Sequence, residues 1–455
     1  MVIYGSIIAL VFIVVVAKLL LNKFNAQAVL LISGLCMLFV AYLLGFEMPI
    51  LEKPTGSSYF DIFEYIKIAF SETNAQVGLL IMAIGGYVDF IKKNGASDAL
   101  VYLALKPLKL LKKYPYIIAS LVIPIGQFLF VCIPSAAGLS LLLMASVYPI
   151  MVNLGVSRLS AVAVITATTA FGVGPASVIT SRSVKIMETT SVSHFFDNQI
   201  PLMIPLTITL MLSYFFVNKY YDKKEVNTNI EMVEEKEIDL KVPLYYAILP
   251  ILPLIILFAF SEIFSFFDPR IHLDTTTVMI ICLFIGLLMD LIRTRNVKLV
   301  FESIQVFFDG MGDIFKSVVT LIIAAEMFSK GLISLMFIDG LVASSQSLGL
   351  GGIGISIVMA IMILLASVLM GSGNAAFFAF GPLVPNITAK LGISTTSMIL
   401  PMEFSASIGR TLSPISGVLI ASSKIANVSP FEVAKRNLIP FAITFLVMII
   451  IHFIF

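Results

Sequence analysis

What most constrains this chain is a series of apolar runs long enough to cross a lipid bilayer, separated by short polar breaks. A spanning helix needs about 20 predominantly apolar residues. Runs of that kind stand at 3–21, 27–45, 76–91, 158–180 and 200–217, and again at 243–265, 274–292, 313–330, 395–421 and 437–455. Soluble domains carry about 25% charged residues, and here Asp, Glu, Lys and Arg make up 12% of 455 positions. A soluble enzyme, a disordered chain and a collagen-like fibre are thereby excluded. The net charge of +2 is small and dispersed, so nucleic acid is not an expected partner. Residues 3–21 follow no basic region and read as a true first span rather than a removable signal. The fold class expected is an all-α integral membrane protein whose first partner is the lipid bilayer.

Signatures of catalysis are missing. Cys36, Cys132 and Cys282 sit singly inside apolar runs and read as small hydrophobes. His194, His272 and His452 are scattered, without ligand spacing. The sequence contains no H-E-x-x-H, C-x-x-C or Walker A motif. Gly349-Leu-Gly-Gly-Ile-Gly354 fits a dinucleotide pattern but lies between apolar runs rather than after a strand, so it reads as a connector. No cofactor and no catalytic residue are expected.

Basic clusters orient the spans. Segment 92–113 holds six lysines against Asp98 alone; Arg293, Arg295 and Lys298 form a second cluster, and Lys424, Lys435 and Arg436 a third. By the positive-inside rule these face the cytoplasm, whereas 46–75 and 331–350 face outward. Segment 98–113 reads as an amphipathic arm in the headgroups. Residues 218–242 form the one long polar stretch, a cytoplasmic linker between two blocks, 1–217 and 243–455.

The two blocks resemble each other. Ser135-Ala-Ala-Gly138 aligns with Ser372-Gly-Asn-Ala375, and Leu154-Gly-Val-Ser157 with Leu391-Gly-Ile-Ser394, both at an offset of 237. Gly172 aligns with Gly409, and Pro175 with Pro414 after a short insertion. The basic clusters change sides between the blocks, which predicts repeats of inverted topology, as in secondary transporters. Parity then favours about ten transmembrane helices plus two re-entrant hairpins, 114–152 and 352–389. Twelve to fourteen full spans is the alternative.

Four breaks interrupt the apolar runs: tips at Ile133–Gly138 and Met370–Asn374, and interrupted spans at Phe171–Ser177 and Gly409–Gly417. Irregular backbone at membrane depth is tolerated only where protein or a cavity surrounds it. Helix N-termini at such breaks suit carboxylates, and free carbonyls with Ser, Thr and Asn oxygens suit a small hard cation. Sodium sites are expected near Ser135 and Asn374. Arg410 lies in an apolar span, where a charge marks a functional site by default. It could clamp a carboxylate through two parallel hydrogen bonds or pair internally with Glu403. Glu326 and Lys330, four residues apart, read as an interfacial pair.

Several of these strings resemble one family: Gly371-Ser-Gly-Asn374, Gly409-Arg-Thr-Leu-Ser-Pro-Ile-Ser-Gly417, Ser429-Pro-Phe-Glu-Val433 and Tyr148-Pro-Ile-Met-Val-Asn-Leu-Gly-Val-Ser157. They are similar to the anaerobic C4-dicarboxylate carrier C (DcuC) family of the ion-transporter superfamily, over nearly the whole chain. The resemblance implies an elevator-type homodimer in the bacterial inner membrane. It implies uptake, exchange or efflux of fumarate, succinate, malate or aspartate; the Ser, Thr, Asn and carbonyl oxygens fit sodium coupling, proton coupling and pure exchange alike. Carried over, the substrate site comprises Ser372, Gly373, Asn374, Arg410, Thr411 and Ser413, with first-block counterparts Ser135, Ala136, Ala137, Gly138, Pro175, Ala176 and Ser177. The first block departs from the family pattern. Pro175-Ala-Ser177 stands where members carry Ser-Gly-Asp, and the tip lacks a Thr. A different small carboxylate or an amino acid is therefore the alternative substrate.

Overall fold

The computed structural model describes residues 2–51, 53–111, 114–224, 240–264, 266–268, 270–271, 273–347 and 349–454. Most of the linker, 225–239, and His272 therefore lie outside the described residues. Every regular element among the described residues is helical.

The first block runs α1 (Val2–Leu21), α2 (Ala26–Leu43), α3 (Ser58–Thr73), α4 (Leu79–Lys93), α5 (Ala96–Leu105), α6 (Pro115–Cys132), α7 (Ala136–Ser146), α8 (Tyr148–Asn153), α9 (Arg158–Ala167), α10 (Val178–Met187), α11 (Ser191–Ser193) and α12 (Ile200–Lys224). The second runs α13 (Leu252–Ala259), α14 (Thr275–Thr294), α15 (Val297–Ile314), α16 (Thr320–Ser334), α17 (Phe337–Ser347), α18 (Gly351–Met370), α19 (Gly373–Phe380), α20 (Val384–Leu391), α21 (Thr395–Leu412), α22 (Gly417–Ala426) and α23 (Pro430–Ile454). The order of features recurs. One π-turn, Asn74–Gly78, joins α3 to α4, and another, Phe315–Val319, joins α15 to α16. Serines cap matching helices by accepting a backbone N–H: Ser135 and Ser372 start α7 and α19, and Ser157 and Ser394 start α9 and α21.

Seven helices among the described residues are long and apolar enough to span: α1, α2, α6, the α11–α12 unit, α14, α18 and α23. The sequence marked α6 and α18 as hairpin legs; each has the length and composition of a span by itself. The run expected at 243–265 is shorter than a span. A 3₁₀ stretch, Leu244–Ile248, precedes an eight-residue α13. Pro250 and Pro253 each remove a backbone donor there, which limits the helix. Segment 98–113 also differs from a headgroup arm: α5 is largely buried and packs on Leu244–Ile248. Cys132 and Cys282 are buried, whereas Cys36 is exposed.

Packing follows the sequence at two scales. On α12, Leu202, Leu206, Leu210 and Tyr214 are buried, while Ile204, Ile208, Leu212 and Phe216 are exposed. Both sets recur every four residues, so one stripe meets protein and the other is left for lipid. Between helices, small residues permit close approach. α2 lies along α16, and α4 along α15. A Cβ at Gly34 would meet the Met327 carbonyl at 2.6 Å, and one at Gly86 the Phe307 carbonyl at 2.6 Å.

Gly34→Leu should therefore destabilise the protein by about 3 kcal/mol or more, beyond ordinary overpacking, because backbone must move. Gly312 is helical and meets nothing within 4 Å, so Gly312→Ala should be neutral or stabilising by up to about 1 kcal/mol. Thermal unfolding in detergent, comparing both variants with wild type, checks the pair.

Candidate functional site

Both tips, the first broken span and the helix that leads into the second break meet. A cavity of about 280 Å³ takes its wall from both tips and both broken spans: Ser135, Ala136 and Ala137; Gly172, Val173 and Ser177; Gly373 and Asn374; and Ser407 with Arg410. Phe130, Pro134, Val178 and Ile179 complete it. That volume lies just below the range for ligand pockets, about 300–1,000 Å³, and suits a small metabolite.

Each tip is built by a serine. Ser135 Oγ accepts the Gly138 N–H, and its carbonyl accepts the Leu139 N–H. Ser372 does the same for Ala375 and Ala376. The first four N–H groups of a helix lack intrahelical acceptors. The serine Oγ takes one of these at each tip, and the Ile133 carbonyl takes that of Ser135, so those of Ala136 and Ala137 remain at one tip and those of Gly373 and Asn374 at the other. All four of these residues line the cavity. The tips thus turn the positive ends of two helices toward the space.

Arg410 is the sole charged residue in the wall. Its guanidinium donates to the Thr169 carbonyl and lies 5.7 Å from the centre of the Phe130 ring. It makes no ion pair among the described residues, and the pairing with Glu403 open from sequence does not occur. Glu403 is held instead by His194 Nε2 (3.0 Å) and by Gln199 Nε2 (3.0 Å). The wall therefore carries one cationic side chain and no carboxylate.

The remaining expected residues stand behind the wall. Thr411 Oγ1 donates to the Ser407 carbonyl, and Ser413 Oγ donates to the Val368 carbonyl at 2.6 Å, tying the end of α21 to α18. Gly138, Ser372, Pro175 and Ala176 shape the tips and the first broken span without lining the cavity. The second break begins later than expected. Gly409 and Arg410 belong to α21, and the helix stops after Leu412. Gly409 is needed there because a Cβ would run into the Leu364 carbonyl of α18.

Sequence reasoning missed the residues that hold the first broken span open. Ser407 Oγ accepts the Gly172 N–H at 3.0 Å, and Gln199 Oε1 accepts the Gly174 N–H at 2.9 Å. Ser177 Oγ closes the turn by donating to the Gly172 carbonyl. Ser407 precedes Arg410 by one helical turn, the only local hint of its role. Arg182 was missed as well. It pairs with Glu326 at 2.5 Å, so Glu326 joins α16 to α10 and is not partnered by Lys330.

Comparisons with known proteins identify the family. Residues 4–455 match the family described as the C4-dicarboxylate anaerobic carrier. The anaerobic C4-dicarboxylate transporter DcuC of Escherichia coli K12 is 34% identical, with 98% of this chain and 95% of that protein covered. A probable anaerobic C4-dicarboxylate transporter DcuC of Vibrio cholerae is also 34% identical, covering 98% and 96%. Among solved structures, the YdaH transporter of Alcanivorax borkumensis shares the fold, with a TM-score of 0.60 at 13% identity over 94% of this chain and 97% of that one. The chain thus belongs to the DcuC family of anaerobic C4-dicarboxylate carriers, and is a multi-pass transporter of the bacterial inner membrane rather than an enzyme.

Proposed function

We propose that the 280 Å³ cavity is the substrate site of a C4-dicarboxylate carrier and that one carboxylate binds Arg410 while the other binds the free N–H groups of a tip. The observation that carries this reading is the unpaired guanidinium facing two helix N-termini in one enclosed space. A guanidinium offers a planar fork for one carboxylate. A helix start offers two backbone donors and a partial positive charge for the second. A dianion with its charges at two ends therefore meets complementary groups at both. Fumarate, succinate, malate and aspartate are the candidates, moved by uptake, exchange or efflux.

The departures in the first block cost little on this reading. At Ala136 and Ala137 the groups that face substrate are backbone N–H, which any residue but proline supplies. The replacement of a Ser-Gly-Asp string by Pro175-Ala-Ser177 removes a carboxylate from the vicinity of an anion site.

For transport, the reading is that residues 1–217 and 243–455 form two inverted-topology repeats. The segments 114–152 and 352–389 are re-entrant hairpins, moving with the broken spans as one block of an elevator-type homodimer. In support, contacts between elements come in exchanged pairs. α2 meets α16 as α14 meets α4, α1 meets α17 as Leu244–Ile248 meets α5, and α9 meets α22 as α21 meets α10.

Counterflow tests the function. Proteoliposomes loaded with fumarate should take up labelled succinate faster than empty ones; equal rates would contradict exchange of C4-dicarboxylates. Arg410→Lys keeps the charge and loses the fork. It should weaken succinate binding by about 10–150-fold, the equivalent of about 1.5–3 kcal/mol for hydrogen bonds to a charged group. Unchanged affinity by calorimetry would remove Arg410 from the site. Ala136 is the first residue of α7 after an extended Ser135, a position that accepts proline without helix loss. Ala136→Pro deletes one free donor and should weaken binding about 10-fold at unchanged melting temperature, whereas Ala136→Ser should not.

A further inference from the structure

Arg182 and Glu326 are charged, lie within helices and take no part in the binding chemistry above. Arg182 stands on α10, one turn beyond Ile179 of the cavity wall, and is 9% exposed. Its Nη2 donates to Glu326 Oε2 of α16 at 2.5 Å, and its Nε is buried without a hydrogen-bond partner. Lys330, one turn beyond Glu326 on α16, is half-buried and makes no ion pair among the described residues. We propose that Glu326 exchanges partners during transport, holding Arg182 when α10 lies against α16, as in this structure, and Lys330 when α10 moves away; the proposal rests on the elevator reading given above.

The two helices belong to different parts of the molecule. α16 is bound to α2 through closely packed glycines: a Cβ at Gly34 would meet the Met327 carbonyl, and one at Gly331 the Met37 side chain at 2.8 Å. α10 continues the first broken span and packs on α21 and α19. On the elevator reading α10, α19 and α21 travel together, while α16 stays with α2. The Arg182–Glu326 pair therefore crosses the surface along which sliding takes place. Lys390 of α20 with Asp339 of α17 crosses it too, but with side chains 43% and 36% exposed that contact is screened and weak. The side chains of Arg182 and Glu326 are 11% and 26% exposed, so theirs is the pair whose rupture is costly.

Rupture without replacement leaves a carboxylate uncompensated among apolar helices, where charge is expensive. Lys330 removes that penalty. Glutamate followed by lysine at i+4 is the more favourable order for a pair on one helix. This face of α16 also meets the moving part, because Ser329 Oγ donates to the Ala379 carbonyl of α19 at 2.8 Å. Glu326, Ser329 and Lys330 fall at i, i+3 and i+4, one face of the helix. The glutamate thus reaches either cation by turning its side chain, with no backbone change in α16.

Arg182, once released, keeps its charge near water. α10 ends at Met187, and Lys185 and Glu188 at that end are exposed, so a long guanidinium side chain can extend toward solvent. Both end states are then ion-paired at Glu326, and the unpaired carboxylate is confined to the passage between them. The exchange therefore sets the balance of the two conformations and the rate of crossing, and makes no contact with substrate. A ligand-free readout of conformation is the appropriate probe.

Cysteines at Ile425 of α22 and Phe301 of α15, both exposed, carry spin labels in protein lacking Cys36, Cys132 and Cys282, and pulsed dipolar spectroscopy in lipid nanodiscs measures the distance between them. Wild type should show two distances, one of them that of this structure. Arg182→Gln should lower the population at the structure's distance relative to the other by about tenfold, and Lys330→Gln should raise it by about threefold. In a Glu326→Gln background neither change should shift the populations further. Opposite shifts from two cations that share one carboxylate are not produced by a merely structural role. One distance in wild type and in every variant overturns the elevator reading and the proposal with it; a second distance that appears only in Arg182→Gln supports the exchange. Two distances whose populations ignore Arg182→Gln, or move the same way in both variants, overturn the exchange alone. Should Arg182→Gln fail to fold, Lys330→Gln decides, and an unchanged or lowered population at the structure's distance overturns the proposal.

Discussion

A helix that stops inside an apolar slab leaves peptide groups that lipid cannot satisfy, and this architecture follows from how those groups are met. At Gly172 and Gly174 the N–H groups are taken by Ser407 and Gln199. At the ends of α6 and α18 the chain restarts at once on serine caps. What the caps leave over is directed into one cavity beside Arg410. The same donors that would destabilise a lipid-facing break make an anion site when they converge. Closely packed glycine contacts around them, such as Gly409 on the Leu364 carbonyl, keep that convergence in register.

Much of this was legible in the sequence because the signals are local. Apolar runs, basic clusters, Ser-Ala-Ala-Gly and Gly-Ser-Gly-Asn strings and an intramembrane arginine are each read within a few residues. They led to the cavity's lining at Ser135, Ala136, Ala137, Ser177, Gly373, Asn374 and Arg410. What escaped depends on distance along the chain. His194 and Glu403 are 209 positions apart, Gly172 and Ser407 are 235 apart, and Arg182 and Glu326 are 144 apart. No spacing rule joins such pairs, and a lone buried histidine among apolar residues carries no mark of its partner. Glu403 misled for the same reason. Seven residues before Arg410, it offered a local partner, yet its carboxylate is turned to another element.

At the tips, backbone N–H groups of Ala136, Ala137, Gly373 and Asn374 stand at the cavity wall whatever the side chain. Alanine at 136 and 137 looked like lost hydrogen-bonding capacity. In the structure the useful donors there are main-chain, and small side chains let a ligand approach them. On the function proposed above, substrate is recognised by one guanidinium, one asparagine and helix starts, a set suited to carboxylates of one length more than to one substituent pattern.

The central claim is that both tips face a single anion-binding space. Single cysteines at Ala137 and Asn374, placed in protein lacking Cys36, Cys132 and Cys282, test it through protection from a charged thiol reagent. Succinate should protect both positions with the same half-effective concentration, and chloride should protect neither. Protection at one tip alone, or at two distinct succinate concentrations, would contradict a shared site.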